Sequence, residues 1–142
     1  MDAQVPSGSP VVRVEAIVDV LKAIADPTRF QILHAVSRRE HGVGQLAELV
    51  GAHVAAVSQH LAKLRAAGLV ASRRDGTRIF YRAASPHVAA VLEEAGLLAG
   101  FVTGVIDVPD AEGVEPASAQ IEVAIREARS RAAQLRFGPA GA

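Results

Sequence analysis

Basic and amide-bearing side chains are concentrated between residues 45 and 82. The candidate ligand-binding residues are Gln45, Ser58, Gln59, His60, Lys63, Arg65, Arg73, Arg74 and Arg78. Serine, glutamine and histidine can hydrogen-bond to base edges, whereas lysine and arginine attract phosphate. Residues 55–82 contain six lysines and arginines against one acid, Asp75, so their net charge is about +5 in a chain of formal net charge 0. This distribution predicts a surface that binds nucleic acid.

The spacing of apolar residues predicts two short helices that would position these side chains. Residues 44–51 (GQLAELVG) form the first, and Gly51 ends it because glycine tolerates a left-handed turn. Residues 53–68 form the second, whose opposite face carries Ser58, Gln59, Lys63 and His60. The apolar faces are assigned to Leu46, Leu49 and Val50 in the first helix and to Val54, Val57, Leu61 and Leu64 in the second.

A basic hairpin is predicted directly after the second helix. Asp75-Gly76 is a strong turn signal between two segments of high β-propensity, LVAS and RIFYR. Arg73, Arg74 and Arg78 crowd this turn, where they could contact a DNA backbone. The fold class expected is therefore mainly α with a small β-hairpin wing, a winged helix-turn-helix.

Four segments, in order, resemble the ArsR/SmtB family of bacterial repressors over roughly residues 15–105. They are ADPTRFQIL (25–33), QLAELVG (45–51), VSQHLAKLRAAGLV (57–70) and RRDGTRIFYR (73–82). The resemblance implies a homodimer, paired through its terminal helices, that leaves its operator when a metal ion or another inducer binds. It also implies that Ser58, Gln59 and His60 lie in the recognition helix, and Arg74 and Arg78 in the wing.

Two further helices are expected before the helix-turn-helix. The first covers residues 11–24, and the second begins at Asp26-Pro27, an N-cap followed by a proline at the first helical position. The second helix directs Phe30, Ile32, Leu33 and Val36 inward. Residues 40–42 are expected to form a loop.

A glycine series marks the helix that is expected after the wing. Ser85-Pro86 opens it, and Gly96, Gly100 and Gly104 recur every four residues and so share one face. Three glycines inside a helix cost roughly 3 kcal/mol relative to alanine. The face is interpreted as a dimer seam, by analogy with small-residue contacts between membrane helices, or as the wall of an inducer cavity. The third alternative is that the helix ends near Gly100.

The chain is divided into a disordered tail (1–10), a DNA-binding and dimerisation domain (11–106), an acidic linker (107–118), a C-terminal amphipathic helix (119–136) and a second tail (137–142). The C-terminal helix carries Ile121, Ile125, Ala128, Ala132 and Leu135 on one face, with pairs Glu122–Arg126 and Glu127–Arg131. No signal-peptide or membrane-span pattern is found, so a cytoplasmic protein is expected.

The sensing chemistry is constrained by the absence of cysteine, which rules out thiolate metal sites. His87 matches an early histidine of the family's dimer-helix metal site, but Ser85 replaces the preceding acid, and Leu98 and Phe101 stand at the later positions. One imidazole per subunit cannot hold zinc or nickel. Another possible ligand pair is Glu40 with His41. A response to an organic inducer, or to none, is favoured over a zinc- or nickel-responsive repressor.

The leading function is a dimeric, sequence-specific transcriptional regulator, a repressor bound to an inverted repeat of double-stranded DNA. A winged-helix interaction module without DNA binding remains the alternative from another class. No catalytic motif or phosphate-binding glycine loop supports an enzyme.

Overall fold

The computed structural model describes residues 11–105 and 118–136, which contain six helices and one three-stranded sheet. The described residues fall into two compact units, one formed by residues 19–105 and the other by residues 11–18 with 118–136. The elements are α1 (Val14–Ile24), α2 (Pro27–Arg38), β1 (His41–Gly42), α3 (Val43–Val50), α4 (Val54–Ala66), β2 (Val70–Asp75), β3 (Arg78–Ala83), α5 (Pro86–Val102) and α6 (Ser118–Arg136).

The predicted helix boundaries at Asp26, Gly51 and Ser85 are confirmed. The Asp26 carboxylate accepts a hydrogen bond from the backbone N–H of Arg29 at 2.9 Å, and the Ser85 hydroxyl accepts one from the N–H of His87 at 3.1 Å. Each cap is followed by a proline in the first turn. Gly51 ends α3 with a φ of 65°, in the left-handed region that glycine adopts without strain.

The sheet is antiparallel with strand order β1-β3-β2. In the hairpin, Asp75 pairs with Arg78 across a two-residue turn whose first residue, Gly76, has a φ of 62°. The expected loop at residues 40–42 is wrong, because His41 pairs with Tyr81 to form β1. A two-residue strand is too short to show an alternating pattern, so its sequence alone does not reveal it.

The core of the larger unit is aliphatic and lies where α2, α3, α4 and α5 meet the sheet. Its buried members are Ile24, Ile32, Leu33, Val36, Leu46, Ala47, Val57, Leu61, Leu64, Leu69, Val70, Val88 and Leu92. Two assignments to this core are wrong: Leu49 is 61% exposed and Val54 is 50% exposed. Helix α3 packs through positions 43, 46, 47 and 50, which leaves Leu49 on another face, and Val54 is the first residue of α4.

The glycine series does not lie on one helical face. Helix α5 ends at Val102, two residues after Gly100, and Gly104 has a left-handed φ of 72° beyond the Thr103 cap. The Thr103 hydroxyl donates to the carbonyl of Ala99 at 2.8 Å, in the last turn. The expectation of a continuous helix through Gly104 is therefore wrong, and the alternative that the helix ends near Gly100 is confirmed. Gly96 and Gly100 lie within α5.

In the smaller unit, α6 carries the predicted pair of Glu127 and Arg131, whose charged atoms are 3.7 Å apart. Arg131 also lies 3.4 Å from the carboxylate of Glu15. The side chains of Ile121, Glu122 and Ile125 lie outside the described residues, as do the predicted tails 1–10 and 137–142 and nearly all of the predicted linker 107–118. Within the described ranges, no helix has the length and apolar character that a membrane span requires.

Candidate nucleic-acid interface

Helix α4 presents a polar face to solvent because its apolar face is held in the core. Val57, Leu61 and Leu64 are at most 1% exposed. This packing leaves the side chains of Ser58, Gln59, Lys63 and Arg65 exposed. A helix that is fixed by its buried face and offers amide, hydroxyl and cationic groups on the other can contact base edges and phosphates.

A groove joins the helix-turn-helix to the wing. It encloses about 690 Å³ and is lined on one side by Gln45 and Ser58, and on the other by Thr77, Arg78 and residues 79–81 of β3. The structure thus brings together Gln45, Ser58 and Arg78, which are candidates from three different elements. Thr77, in the turn of the hairpin, also lines the groove and is not among the residues predicted from the sequence.

Gln45 also has a structural role at the start of α3. Its side-chain oxygen accepts a hydrogen bond from the backbone N–H of Gly42 at 3.0 Å, as the fourth residue of a capping box does. This bond fixes the orientation of the side chain and leaves its amide N–H₂ group to donate into the groove.

The strand register separates the wing arginines. Arg73 pairs with Phe80 and Arg74 with Ile79, so these two neighbouring arginines project from opposite faces of the hairpin. Arg74 shares its face with Ser72 and with Val70, which is buried in the core. The two arginines therefore have different surroundings, although from the sequence alone they are predicted to have the same role.

Arg73 is held by other side chains. Its guanidinium donates to both carboxylate oxygens of Glu40, with N–O distances of 2.7 to 2.9 Å, and lies 4.8 Å from the centre of the Phe80 ring. These hydrogen bonds lower the pKa of Glu40 and raise the pKa of Arg73. Asp75 adds a second carboxylate 4.0 Å away. Glu40, the residue before β1, thus neutralises Arg73 and connects the wing to the start of β1.

The side chain of His60 contacts Arg29 of α2. It is partly buried, and its Nδ1 lies 3.5 Å from a terminal nitrogen of Arg29. Arg29 is itself fixed, because its side chain donates to the carbonyl oxygens of Ala23 at 2.7 Å and Lys22 at 3.3 Å. The backbone N–H of Arg29 is also the main reason why the pKa of Asp26 is lowered, to which the charges of Arg29 and His60 add. Arg29 and His60 are 31 positions apart, so no local pattern of the sequence indicates this contact.

The candidates on α5, which are His87, Gly96 and Gly100, do not line this groove. His87 is exposed in the first turn, Gly96 is exposed, and a Cβ at Gly96 would meet no atom within 4 Å. Large apolar side chains are exposed along the second half of the helix: Leu97, Leu98, Phe101 and Val102. In the part of the chain that the structure describes, no three His, Cys, Asp or Glu residues are grouped as a metal site would require.

A helix-turn-helix joined to an arginine-bearing hairpin defines a winged helix-turn-helix DNA-binding protein. Comparison with known proteins supports the same class. The sequence profile of bacterial regulatory proteins of the arsR family matches residues 26–72. The HTH-type transcriptional regulator KmtR of Mycobacterium tuberculosis is 48% identical over 90 residues, which cover 63% of this chain and 69% of that protein.

Two further relatives extend the comparison. The transcriptional activator HlyU of Vibrio cholerae is 41% identical over 74 residues, 52% of this chain and 68% of HlyU. The solution structure of the homodimeric winged helix-turn-helix DNA-binding domain of Mb0332 from Mycobacterium bovis matches with a TM-score of 0.60 and 30% identity, over 68% of this chain and 89% of that one. This chain therefore belongs to the ArsR family and is a DNA-binding transcriptional regulator.

Proposed function

We propose that this chain is a homodimeric repressor that binds an inverted repeat with α4 in the major groove and the hairpin along the backbone. The observation that carries this proposal is that Ser58 of α4 and Arg78 of the wing line one groove. A duplex entering that groove would meet hydrogen-bonding groups from the helix and positive charge from the wing. A protein that binds the bacterial chromosome would also reside in the cytoplasm.

The candidate residues divide into three roles. Ser58 and Gln59 are proposed to contact base edges, because both are exposed on the polar face of α4. Lys63, Arg65, Arg74 and Arg78 are proposed to contact phosphates, with Gln45 donating from the start of α3. Arg73 and His60 are proposed to support the interface, because each is already engaged with another side chain.

The experiment that tests these roles compares Gln59→Ala with Arg74→Ala on duplexes of related sequence. We expect Gln59→Ala to reduce the affinity ratio between cognate and mutated sites, since a bidentate base contact contributes about 1–3 kcal/mol of discrimination. We expect Arg74→Ala to weaken all duplexes and to reduce the salt dependence. Full affinity of both variants for the cognate site would contradict the assignment.

The proposed dimer is paired through α5. Leu98, Phe101 and Val102 are 62%, 57% and 73% exposed, which is unusual for side chains of this size on one helix segment. Pairing α5 with its copy would cover them and would set two recognition helices about 34 Å apart, one turn of DNA. Sedimentation should show that Phe101→Ser dissociates the dimer, whereas Val54→Ser, at an equally exposed valine on α4, does not.

The sign of regulation and the inducer require separate tests. Because the relative HlyU is named as an activator, a reporter fused to the bound promoter should record whether deletion of the gene for this protein raises expression, as expected for a repressor, or lowers it.

Elemental analysis of the purified protein tests the zinc or nickel alternative, for which His87 is the weak candidate ligand. Stoichiometric metal that releases DNA would replace the organic-inducer hypothesis.

A further inference from the structure

A basic cradle lies outside the proposed DNA interface, between the end of α2, β1 and α3. It encloses about 640 Å³ and is lined by His34, Ala35, Arg38, Arg39, His41 and Leu49. Its volume falls in the range of small-molecule sites, roughly 300–1,000 Å³. None of these residues is needed for the contacts that we assign to the groove between α4 and the wing.

The polar lining of the cradle is entirely basic or imidazole-bearing. His34 and Arg38 are one helical turn apart on α2, and Arg39 follows directly. Among the residues that the structure describes, no carboxylate forms an ion pair with Arg38 or Arg39, in contrast to Arg73, which Glu40 neutralises. The cradle therefore has an uncompensated positive charge, which favours an anionic occupant.

His41 fixes one of these arginines. The ring is 5% exposed, its Nδ1 lies 2.9 Å from the carbonyl oxygen of Arg39, and Arg39 Nε donates to its Nε2 at 3.4 Å. These two contacts match the neutral ring that carries its proton on Nδ1. Because His41 engages only Nε of Arg39, the terminal N–H₂ groups of that guanidinium remain available to bind an anion.

The cradle also has an apolar side. Leu49 is 61% exposed beside the basic groups, and Ala35 is partly buried next to them. A purely inorganic anion would leave this leucine in water, whereas a ligand with a hydrocarbon body would cover it. We propose that the cradle binds an amphiphilic organic carboxylate, with its carboxylate on Arg38 and Arg39 and its apolar body on Leu49.

The position of the cradle links such a ligand to the wing, and this link rests on the proposed function. His41 pairs with Tyr81 of β3, and the neighbouring Glu40 holds Arg73 of β2. A carboxylate bound to the terminal N–H₂ groups of Arg39 would shift the guanidinium and, through its Nε contact with His41, would displace β1 and with it the hairpin. The ligand would then weaken DNA binding, as an inducer does.

The binding test uses octanoate as the probe, titrated into the full chain and followed by backbone amide NMR. Octan-1-ol has nearly the same apolar body without the charge, and sulfate has the charge without the body. We expect saturable shifts among residues 34–49 with octanoate, and binding weaker by about tenfold or more with either control, since a hydrogen bond to a charged group is lost or the apolar contact is absent. Sulfate binding as tight as octanoate would indicate a phosphate-backbone site and overturn the proposal.

Variants locate the site and separate this proposal from the DNA-binding one. Arg38→Gln and Leu49→Ser should each weaken octanoate binding, whereas Arg126→Gln, at an exposed arginine of α6 that does not line the cradle, should not. Unchanged binding in both cradle variants would overturn the site. Saturable binding that leaves operator affinity unchanged would overturn only the link to the wing. A wild-type chain that binds no DNA in the absence of octanoate would contradict the proposed function and leave the cradle intact.

Discussion

The two neighbouring wing arginines should differ in the salt dependence of DNA binding. Arg73 is neutralised by Glu40 at 2.7 Å, whereas Arg74 projects from the opposite face of the hairpin. An arginine that is already paired with a carboxylate releases few counterions from DNA, and one that contacts phosphate releases them fully. We therefore expect Arg74→Gln to reduce the salt dependence and Arg73→Gln to leave it unchanged.

The size of the effect follows from the number of phosphate contacts. Each contact contributes a slope of about −0.9 in log affinity against log salt, so losing Arg74 from both subunits reduces the slope by about 1.8. Over a fourfold change, from about 50 to about 200 mM salt, this difference corresponds to roughly a 12-fold smaller loss of affinity. Fluorescence anisotropy of a labelled duplex measures both slopes. If Arg73→Gln flattened the slope as much as Arg74→Gln, the structural role given to Arg73 would be refuted.

Three further outcomes are expected. Glu40→Gln should release Arg73 and steepen the salt slope by up to about 1.8 per dimer. Because the pKa of Glu40 is lowered, its ion pair stabilises the fold above the usual carboxyl pKa, and this stabilisation is lost as the pH falls through the lowered value. The urea midpoint of the variant should therefore fall less than that of the wild type between about pH 6 and pH 3. An identical pH dependence would contradict this. Gly51→Ala should lower the free energy of unfolding, measured in urea, by about 1–2 kcal/mol because the φ of Gly51 is 65°. The control Gly44→Ala, where an added Cβ meets nothing within 4 Å, should not destabilise the fold. Equal effects of the two substitutions would refute the conformational argument. Arg29→Gln should lower operator affinity without changing the salt slope, because Arg29 contacts α4 through His60, and a flatter slope in anisotropy would show instead that Arg29 contacts phosphate.

Local chemistry made much of this fold predictable from the sequence. Asp26 and Ser85 precede prolines at helix starts, Gly51 ends a helix, and Gly76 turns a hairpin. Each of these residues acts on backbone groups within a few positions of itself. The same holds for the polar face of α4, which follows from the three- and four-residue spacing of its buried residues.

Features that depend on distant partners could not be predicted in this way. β1 exists because His41 pairs with Tyr81, and Glu40 binds Arg73 from 33 positions away. From the sequence alone Arg73 is predicted to be a cation that contacts DNA, because only the folded structure shows that Glu40 is its partner. The exposure of Leu49 has a similar origin, since it depends on which face of α3 the other helices cover.

The most direct test of the central claim is selection of bound fragments from random duplex DNA, followed by footprinting of the enriched sequence. If α4 and the wing of a homodimer contact DNA as proposed, the selected sequence is an inverted repeat whose protected half-sites lie about one helical turn, 10 base pairs, apart. Gln59→Ala should then bind the selected and scrambled duplexes with more similar affinity. Failure to enrich any sequence, or enrichment of a site without two-fold symmetry, would contradict the account.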